Sequence, residues 1–334
     1  MLKKIHFVRH HFLKILQRSA IIIFFLILIG FWGCHKPDRQ LFRSWMDDSK
    51  KIKVLSTIKQ IGDLVADIGG ERIDSLVLIR GALDPHYYEL VKGDGEKLEH
   101  ADLIFYNGLG LEHGASLFSW LHSNKNATAL GDRILEQFPE RILFKAETVD
   151  PHIWMDVSIW AVAGDLILQQ LIAIDPDGAL YYRSRALLLR ERMEKTHREI
   201  LEMVHQIPEA RRYFVTSHDA FQYFTRSYLA EKDEINWTRR IAAPEGLAPD
   251  GQLSPVDIQR IINYLKWHNI STLFAESNVN LDSLNKFADA GRELGLCVQI
   301  CEEKLFADAI DGDLHYLDMM LHNAKVISNH MSNP

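Results

Sequence analysis

From Ala179 to Ile207 the chain runs without a proline or a glycine, and no other feature constrains its architecture as strongly. Acids and bases interleave through this stretch, and pairs four apart, such as Glu191–Lys195 and Glu194–Arg198, support an exposed helical face. Read as a helix over 176–206, with Pro176 opening it, the stretch reaches ~45 Å at the usual rise. That length exceeds one small domain and suits a stiff rod joining two lobes. An ordinary amphipathic helix inside one domain carries the same pattern.

Short apolar runs alternate with helical periodicity on both sides of the rod. Before it come 51–56 (KIKVLS), 75–79 (SLVLI) and 101–106 (ADLIFY), interleaved with helices over 57–68, 88–100 and 111–122, then a helix over 156–174. After it come 213–216 (YFVT), 272–275 (TLFA) and 296–300, with helices over 220–229, 254–269 and 281–294 and an amphipathic helix from Tyr316. This alternation predicts an α/β fold of two lobes, each a mostly parallel sheet with flanking helices, joined by one long helix. The boundaries read as an N-terminal lobe over 51–175, the connecting helix over 176–206 and a C-terminal lobe over 207–334. In such sheets ligands bind beyond the carboxyl ends of the strands.

Three histidines fall in matching settings at such ends. His86 stands in Asp84-Pro85-His86, His152 in Asp150-Pro151-His152, and His218 in Ser217-His218-Asp219. A preceding proline stiffens the backbone and favours the exit from a strand, and a neutral imidazole so held is a good metal ligand. Asp308 is the candidate for a fourth donor, because it follows a strand and a short loop on the edge expected for His218. A cation would then be held by two donors from each lobe. Each histidine taken singly also fits a surface or core residue; the repeated context favours ligation. Glu276, leaving a strand on the cleft side, fits either an acceptor behind an imidazole or a competing fourth donor. His113, His122, His197, His205, His268 and His322 read as surface or packing residues. The segment 301–313, with Gly312 and many charges, is expected to be held loosely around Asp308.

The first 33 residues hold five basic residues and no acid, with an apolar run from Ala20 to Trp32. This is the pattern of an export signal, too short for a comfortable bilayer span of ~20 residues. The Gly33-Cys34 step fits a bacterial lipoprotein cleavage site, with Cys34 lipidated and residues 34–50 as a polar tether. Phe31 and Trp32 are bulkier than that pattern usually has, and a plain cleaved signal or an uncleaved anchor remains open. Without these residues, 33 basic and 45 acidic side chains leave −12, which argues against nucleic acid as a partner. Cys297 and Cys301 read as two buried thiols on a strand. Positions four apart in a straight strand lie ~13 Å apart, beyond the ~7 Å a disulfide tolerates, so a bridge requires a bend near Gln299.

In order along the chain stand Asp84-Pro85-His86 with Tyr88-Glu89, Asn107-Gly108-Leu109-Gly110-Leu111-Glu112, Asp150-Pro151-His152-Ile153-Trp154-Met155-Asp156, Ser217-His218-Asp219-Ala220-Phe221, Ala307-Asp308-Ala309 and the run from Tyr316 to Asn323. This ordered set resembles the substrate-binding lipoproteins of bacterial manganese, zinc and iron ABC transporters, the TroA-like or cluster A-I family. The resemblance covers nearly the whole mature chain. It implies two α/β lobes on one long helix, ligation by His86, His152, His218 and Asp308, one divalent transition-metal ion (Fe, Mn or Zn) as cargo, and no enzymatic activity. It also implies a periplasmic, membrane-anchored monomer that delivers its ion to an ABC permease and its ATPase.

Two departures bear on the cargo: residues 113–150 lack the His- and acid-rich loop usual in zinc-specific members, and His218 stands where many manganese-specific members have glutamate. The donor chemistry suits Zn²⁺, Fe²⁺ and Mn²⁺. A secreted zinc-dependent hydrolase would also use three histidines, but no His-Glu-x-x-His helix is present. A surface adhesin-like lipoprotein is the third reading.

Overall fold

Short apolar runs form parallel strands here because a helix returns the chain after almost every one. In the computed structural model, which describes residues 37–47, 50–248, 254–310 and 312–332, β1 (Ile52–Ser56) leads into α2 (Lys59–Gly69) and then β2 (Ile73–Val77). After α3 (Asp94–Glu99) comes β3 (Leu103–Tyr106), and after α4 (Ala115–Ser123) comes β4 (Ala127–Ala129). The four strands form one parallel sheet in the order β2-β1-β3-β4, with Val54 facing Ser75 on one side and Leu103 on the other. Val54 and Leu55 are fully buried, as expected of a parallel sheet covered on both faces. The expected signal peptide over 1–33, Cys34 and the ends of the tether over 34–50 lie outside the described residues. The chain divides into two units, 1–49 and 50–334; in the first, Pro37–Met46 forms a helix (α1) where a tether was expected.

The second lobe repeats the plan with strands of only two residues. β7 (Phe214–Val215) pairs with β8 (Ile241–Ala242), and β9 (Thr272–Leu273) with β10 (Gln299–Ile300), all parallel. A parallel bridge from Thr216 to Phe274 joins the pairs, giving the order β8-β7-β9-β10. The helices α8 (Pro255–His268) and α9 (Asp282–Glu293) flank this sheet. The first is capped by Ser254, whose hydroxyl accepts from Asp257 N–H while the Asp257 carboxylate accepts from Ser254 N–H.

The long stretch is a helix, α7 (Ala179–His205), entered through a tight turn at Pro176–Gly178 that Asp175 caps. Tyr182, Leu189, Met193, Thr196, Ile200 and Val204 form a buried stripe along it. The stripe packs on α2, on α6 (Val157–Ile174) and on α10 (Tyr316–Ser332). The helix is therefore embedded along the protein rather than bare. One apolar core runs past it, from Val54 and Phe105 through Trp154, Trp160 and Tyr228 to Tyr316 and Met331, and a second gathers Val215, Ile261, Leu273 and Phe287 in the second lobe. Among the described residues α6 is the one helix long and apolar enough to cross a membrane, yet Ile159, Trp160, Ala163 and Ile167 are fully buried in this core.

Several local readings fail for identifiable reasons. The helix expected over 88–100 is helical only from Asp94, because Asp94 is buried and accepts from Tyr88 Oη–H at 2.7 Å and Val91 N–H at 2.9 Å, folding the preceding residues into a turn. Gly93, at φ 95, stands at that break. The helix expected from Leu111 starts at Ala115, where the Glu89 carboxylate accepts from Ala115 N–H at 2.7 Å and Ser116 N–H at 2.8 Å. The stretch 220–229 is a short turn of helix (Gln222–Phe224) followed by a single π turn. An antiparallel hairpin, β5 (Phe144–Lys145) with β6 (Thr148–Val149), and the helix α5 (Leu130–Gln137) were not expected at all. Cys297 is exposed, Cys301 is buried, and both are free thiols.

His197 ties the long helix to its neighbours. The Tyr228 hydroxyl accepts from Val157 N–H at 3.2 Å and lies 2.9 Å from His197 Nδ1, to which it donates when Nδ1 carries no proton. Burial holds the His197 pKa below its ordinary value, outweighing nearby Asp156. The unfolded chain therefore takes up this proton first as the pH falls through about 6.5, and folded stability drains until the lower folded pKa is reached. The melting temperature of the wild type should fall relative to His197→Gln between pH 7.5 and 5. Parallel melting curves for the two proteins would contradict this account.

Candidate metal centre

His152 and His218 stand within three residues of a strand end and His86 farther along the loop after β2, and each is locked by the backbone around it. β2 continues as Leu78 N–H and Ile79 N–H donate to Ser56 and Thr57 carbonyls, and the chain then turns at Asp84, whose Oδ1 accepts from His86 N–H at 2.8 Å. The second Asp-Pro-His triplet makes the same turn: Asp150 Oδ1 accepts from His152 N–H at 3.0 Å. Here the carboxylate goes further and lies 2.7 Å from His152 Nδ1. The Asn107–Glu112 loop braces this triplet. Buried Glu112 accepts from Thr57 Oγ1–H, Asn107 N–H and Gly108 N–H, and Asn107 Nδ2 donates to the Pro151 carbonyl at 3.0 Å. His218 leaves the end of β7, where Thr216 Oγ1 donates to its carbonyl at 2.8 Å. Glu276, leaving β9, accepts from His218 N–H at 3.0 Å with Oε1 and contacts His218 Nδ1 with Oε2.

Asp308 is held more firmly than its charged surroundings suggested. Gln60 Nε2 donates to the carbonyls of Ala307 at 2.9 Å and Asp308 at 3.1 Å, and Trp154 Nε1 donates to Ala307 at 3.0 Å. Leu305 N–H donates to Ala275, and Asn323 accepts from Phe306 N–H at 2.9 Å and donates to its carbonyl at 2.7 Å. Leu305, Ala307, Ala309 and Ile310 are buried. The expectation of a loosely held segment is thus corrected: the buried Leu305, Ala307, Ala309 and Ile310 fix it, although the charged Glu302, Glu303, Lys304 and Asp313 flank them.

The fold brings His86, His152, His218 and Asp308 together, one donor atom of each lying within 4.8 Å of the others. All four are buried, at 2%, 0%, 0% and 3% exposure. Asp308 Oδ2 lies 3.2 Å from His218 Nε2 and 3.8 Å from His86 Nε2, and Oδ1 lies 3.3 Å from His152 Nε2. Among the described residues, those three Nε2 atoms and both Asp308 oxygens are buried without a hydrogen-bond partner. Such a gathering is costly unless a further group satisfies it. Three imidazole nitrogens and one carboxylate are the donor set of a transition-metal ion.

Electrostatics show the same demand for positive charge around the buried carboxylates. Burial drives His86 down to about 3 against the pull of Asp308. Burial also disfavours charge on His152, but Asp150 and Asp308 outweigh it and carry the imidazole up to about 9. His218 is likewise raised by Glu276 and Asp308 in spite of burial, and the facing imidazoles hold Asp308 well below the usual carboxylate range although burial alone would raise it.

Glu276 takes the position of an acceptor behind His218, and it is not one of the four clustered donors. His113 is exposed, with its ring 5.6 Å from that of His86. His122, His205, His268 and His322 lie outside the cluster. Sequence reasoning missed Asp150, whose i,i+2 spacing to His152 was a usable signal, and Gln60, Asn107 and Trp154, whose roles depend on contacts far along the chain.

The sequence profile of the family described as zinc-uptake complex component A, periplasmic (ZnuA), matches residues 54–330. The chain belongs to this family. Among its relatives is the metal-binding protein YtgA of Chlamydia trachomatis, 36% identical over 285 residues that cover 84% of this chain and 86% of the relative. The manganese-binding lipoprotein MntA of Bacillus subtilis is 29% identical, covering 84% and 89%. The crystal structure of Fe(III)-bound YtgA superposes with a TM-score of 0.81 over 85% of this chain and 99% of that one. The zinc-binding protein TroA of Treponema pallidum superposes with a TM-score of 0.77 at 28% identity, over 85% and 100%. These relatives are named for metal binding, and the two-lobed α/β fold of the solved ones is the fold of this chain.

The strap around Asp308 generates a stability test. Asn323 is fully buried, and Asn323→Ala strips partners from both the N–H and the carbonyl of Phe306. Urea unfolding should show a loss of about 1–3 kcal/mol. An unchanged midpoint would mean that the strap is not held there.

Proposed function

We propose that this chain is the extracytoplasmic substrate-binding component of an ABC transporter. It captures one Fe, Mn or Zn ion with His86, His152, His218 and Asp308 and hands it to the membrane permease. The observation that carries this reading is the convergence of three buried imidazole Nε2 atoms on one buried carboxylate. Neutral imidazoles and a carboxylate displace the hydration shell of such an ion, and burial keeps competing water away. Membership in the ZnuA family supports transport as the purpose of that binding.

The reading extends to organisation and location. An N-terminal lobe over 51–175 supplies His86 and His152, a connecting helix over 176–206 joins the lobes, and a C-terminal lobe over 207–334 supplies His218 and Asp308. Residues 1–33 act as an export signal, and Cys34 carries the lipid that anchors the mature monomer at residues 34–50, within reach of the permease it contacts. Relatives named as lipoproteins support this placement; the intact mass of the mature N-terminus tests it, and an unmodified end beyond Cys34 would count against the lipid. A hydrolytic centre fits less well, because Asp308 takes the position a reacting water would need and Glu276 is committed to His218.

Replacing His86, His152, His218 or Asp308 singly with Ala should weaken Zn²⁺ binding at least about tenfold in competitive titration, by the loss of one of four donors. Metal bound only to the folded state should raise wild-type stability by about 4 kcal/mol at a thousandfold excess over Kd. The rise should fade in acid, where protonated imidazoles cannot ligate. A wild type whose melting temperature ignores Zn²⁺, Mn²⁺ and Fe²⁺ would overturn the proposal.

A further inference from the structure

The three imidazoles of the cluster are not backed alike. His152 Nδ1 meets Asp150, and His218 Nδ1 meets Glu276, each through a carboxylate that also accepts the backbone N–H of the same histidine. For His86 the nearby Asp84 accepts only the backbone N–H, and the ring's ion pair is with Asp308 through Nε2. Asp150 is 1% exposed and Glu276 is 0% exposed. Among the described residues, the ion pairs of Asp150, Glu276 and Asp308 are all with imidazoles and none is with a lysine or arginine, Arg226 acting on Asp150 only without direct contact. Glu276 is further fixed by Ser217, whose Oγ–H donates to Oε1 at 3.3 Å and whose Oγ accepts from Glu276 N–H at 3.0 Å.

We propose that Asp150 and Glu276 determine how highly charged an ion the site can hold. Each fixes its imidazole with Nε2 toward the ion, and together they place two buried negative charges behind the one on Asp308. The inference rests on the metal-cargo reading above and deepens it. With neutral imidazoles, Asp308 alone would leave a trivalent ion with two uncompensated charges in a buried setting, where such an excess is costly. Counting the carboxylates that meet the three imidazole rings, Asp150, Glu276 and Asp308 give three negative charges, formally matching a trivalent ion; Asp84 meets only the backbone of His86 and is common to both ions. A divalent ion needs less of this support, so the two carboxylates act on charge selectivity as well as on affinity. Coulomb energy scales with the product of the charges, so one carboxylate acts about one and a half times as strongly on a trivalent ion as on a divalent one.

The test compares Ga³⁺, a trivalent ion without redox chemistry, with Zn²⁺. Both are supplied to the intact protein as nitrilotriacetate complexes and measured by competition. Removing a carboxylate behind a ligating histidine typically costs about 10–100-fold in affinity. If Glu276→Gln costs Zn²⁺ about 30-fold, the charge argument gives about 150-fold for Ga³⁺, so the Ga³⁺:Zn²⁺ affinity ratio falls about fivefold. Asp150→Asn should move the ratio the same way and serves if Glu276→Gln does not fold. Glu276→Asp keeps the charge and should retain the wild-type ratio even if both affinities drop. A merely structural role would lower the apo melting temperature and both affinities by equal factors, and equal factors would overturn the inference while leaving metal binding intact. A wild type that binds neither ion would overturn the metal-cargo reading and this inference with it.

Discussion

Asp308 carries its carboxylate at 3% exposure, and a charge so deeply placed must be met by donors or by a counter-charge. The fold meets it with three imidazoles drawn from three separate loops that follow strands. Around that contact the backbone of both lobes is committed: Gln60 and Trp154 from the first lobe hold the Ala307–Asp308 carbonyls, and Tyr316 from the last helix donates to the Trp154 carbonyl at 2.7 Å. The donors are therefore positioned by hydrogen bonds that cross between the lobes, and the geometry needed by an ion is built into the folded chain.

The long helix supports this arrangement in a different way from a free rod. Its buried stripe shares one continuous core with α2, α6 and α10. With neither proline nor glycine in its length, it offers no local weak point for a bend. Exchange of an ion by local movement near the site would ask little of such a helix. The Asp308 strap, pinned by Gln60, Trp154 and Asn323, is poorly suited to local movement. The stretch between Ile79 and Asp94 that bears His86 has no regular structure and exposes Leu83, Tyr87 and Val91.

Much of this was legible in the sequence because chemistry repeats there. Two Asp-Pro-His triplets and a strand-borne His218 pointed to residues that the fold gathers within one cluster. Asp308 could be chosen only from its place after a strand, since nothing local distinguishes it from the other acids. The groups behind the imidazoles were half legible: Glu276 was placed at the cleft, whereas Asp150 was read only within a strand exit and not as the acceptor behind His152. What failed was governed by single side chains acting at a distance. Nothing in the periodicity of 88–100 shows that Asp94 will be buried and pull Tyr88 into a turn, or that Glu89 will cap a helix starting at Ala115. The short strands of the second lobe and the exposed Cys297 reflect tertiary context overriding an apolar run.

The central claim is that a pre-built set of three imidazoles and one carboxylate holds the cargo. Anomalous diffraction at the zinc edge, from crystals of the protein loaded with Zn²⁺, tests it most directly. The expected result is one strong peak among His86 Nε2, His152 Nε2, His218 Nε2 and the Asp308 carboxylate, at coordination distances of about 2.0–2.2 Å, with Asp150 and Glu276 still behind their histidines. A peak elsewhere on the protein, or one at the cluster with any of the four side chains turned away from it, would contradict the account.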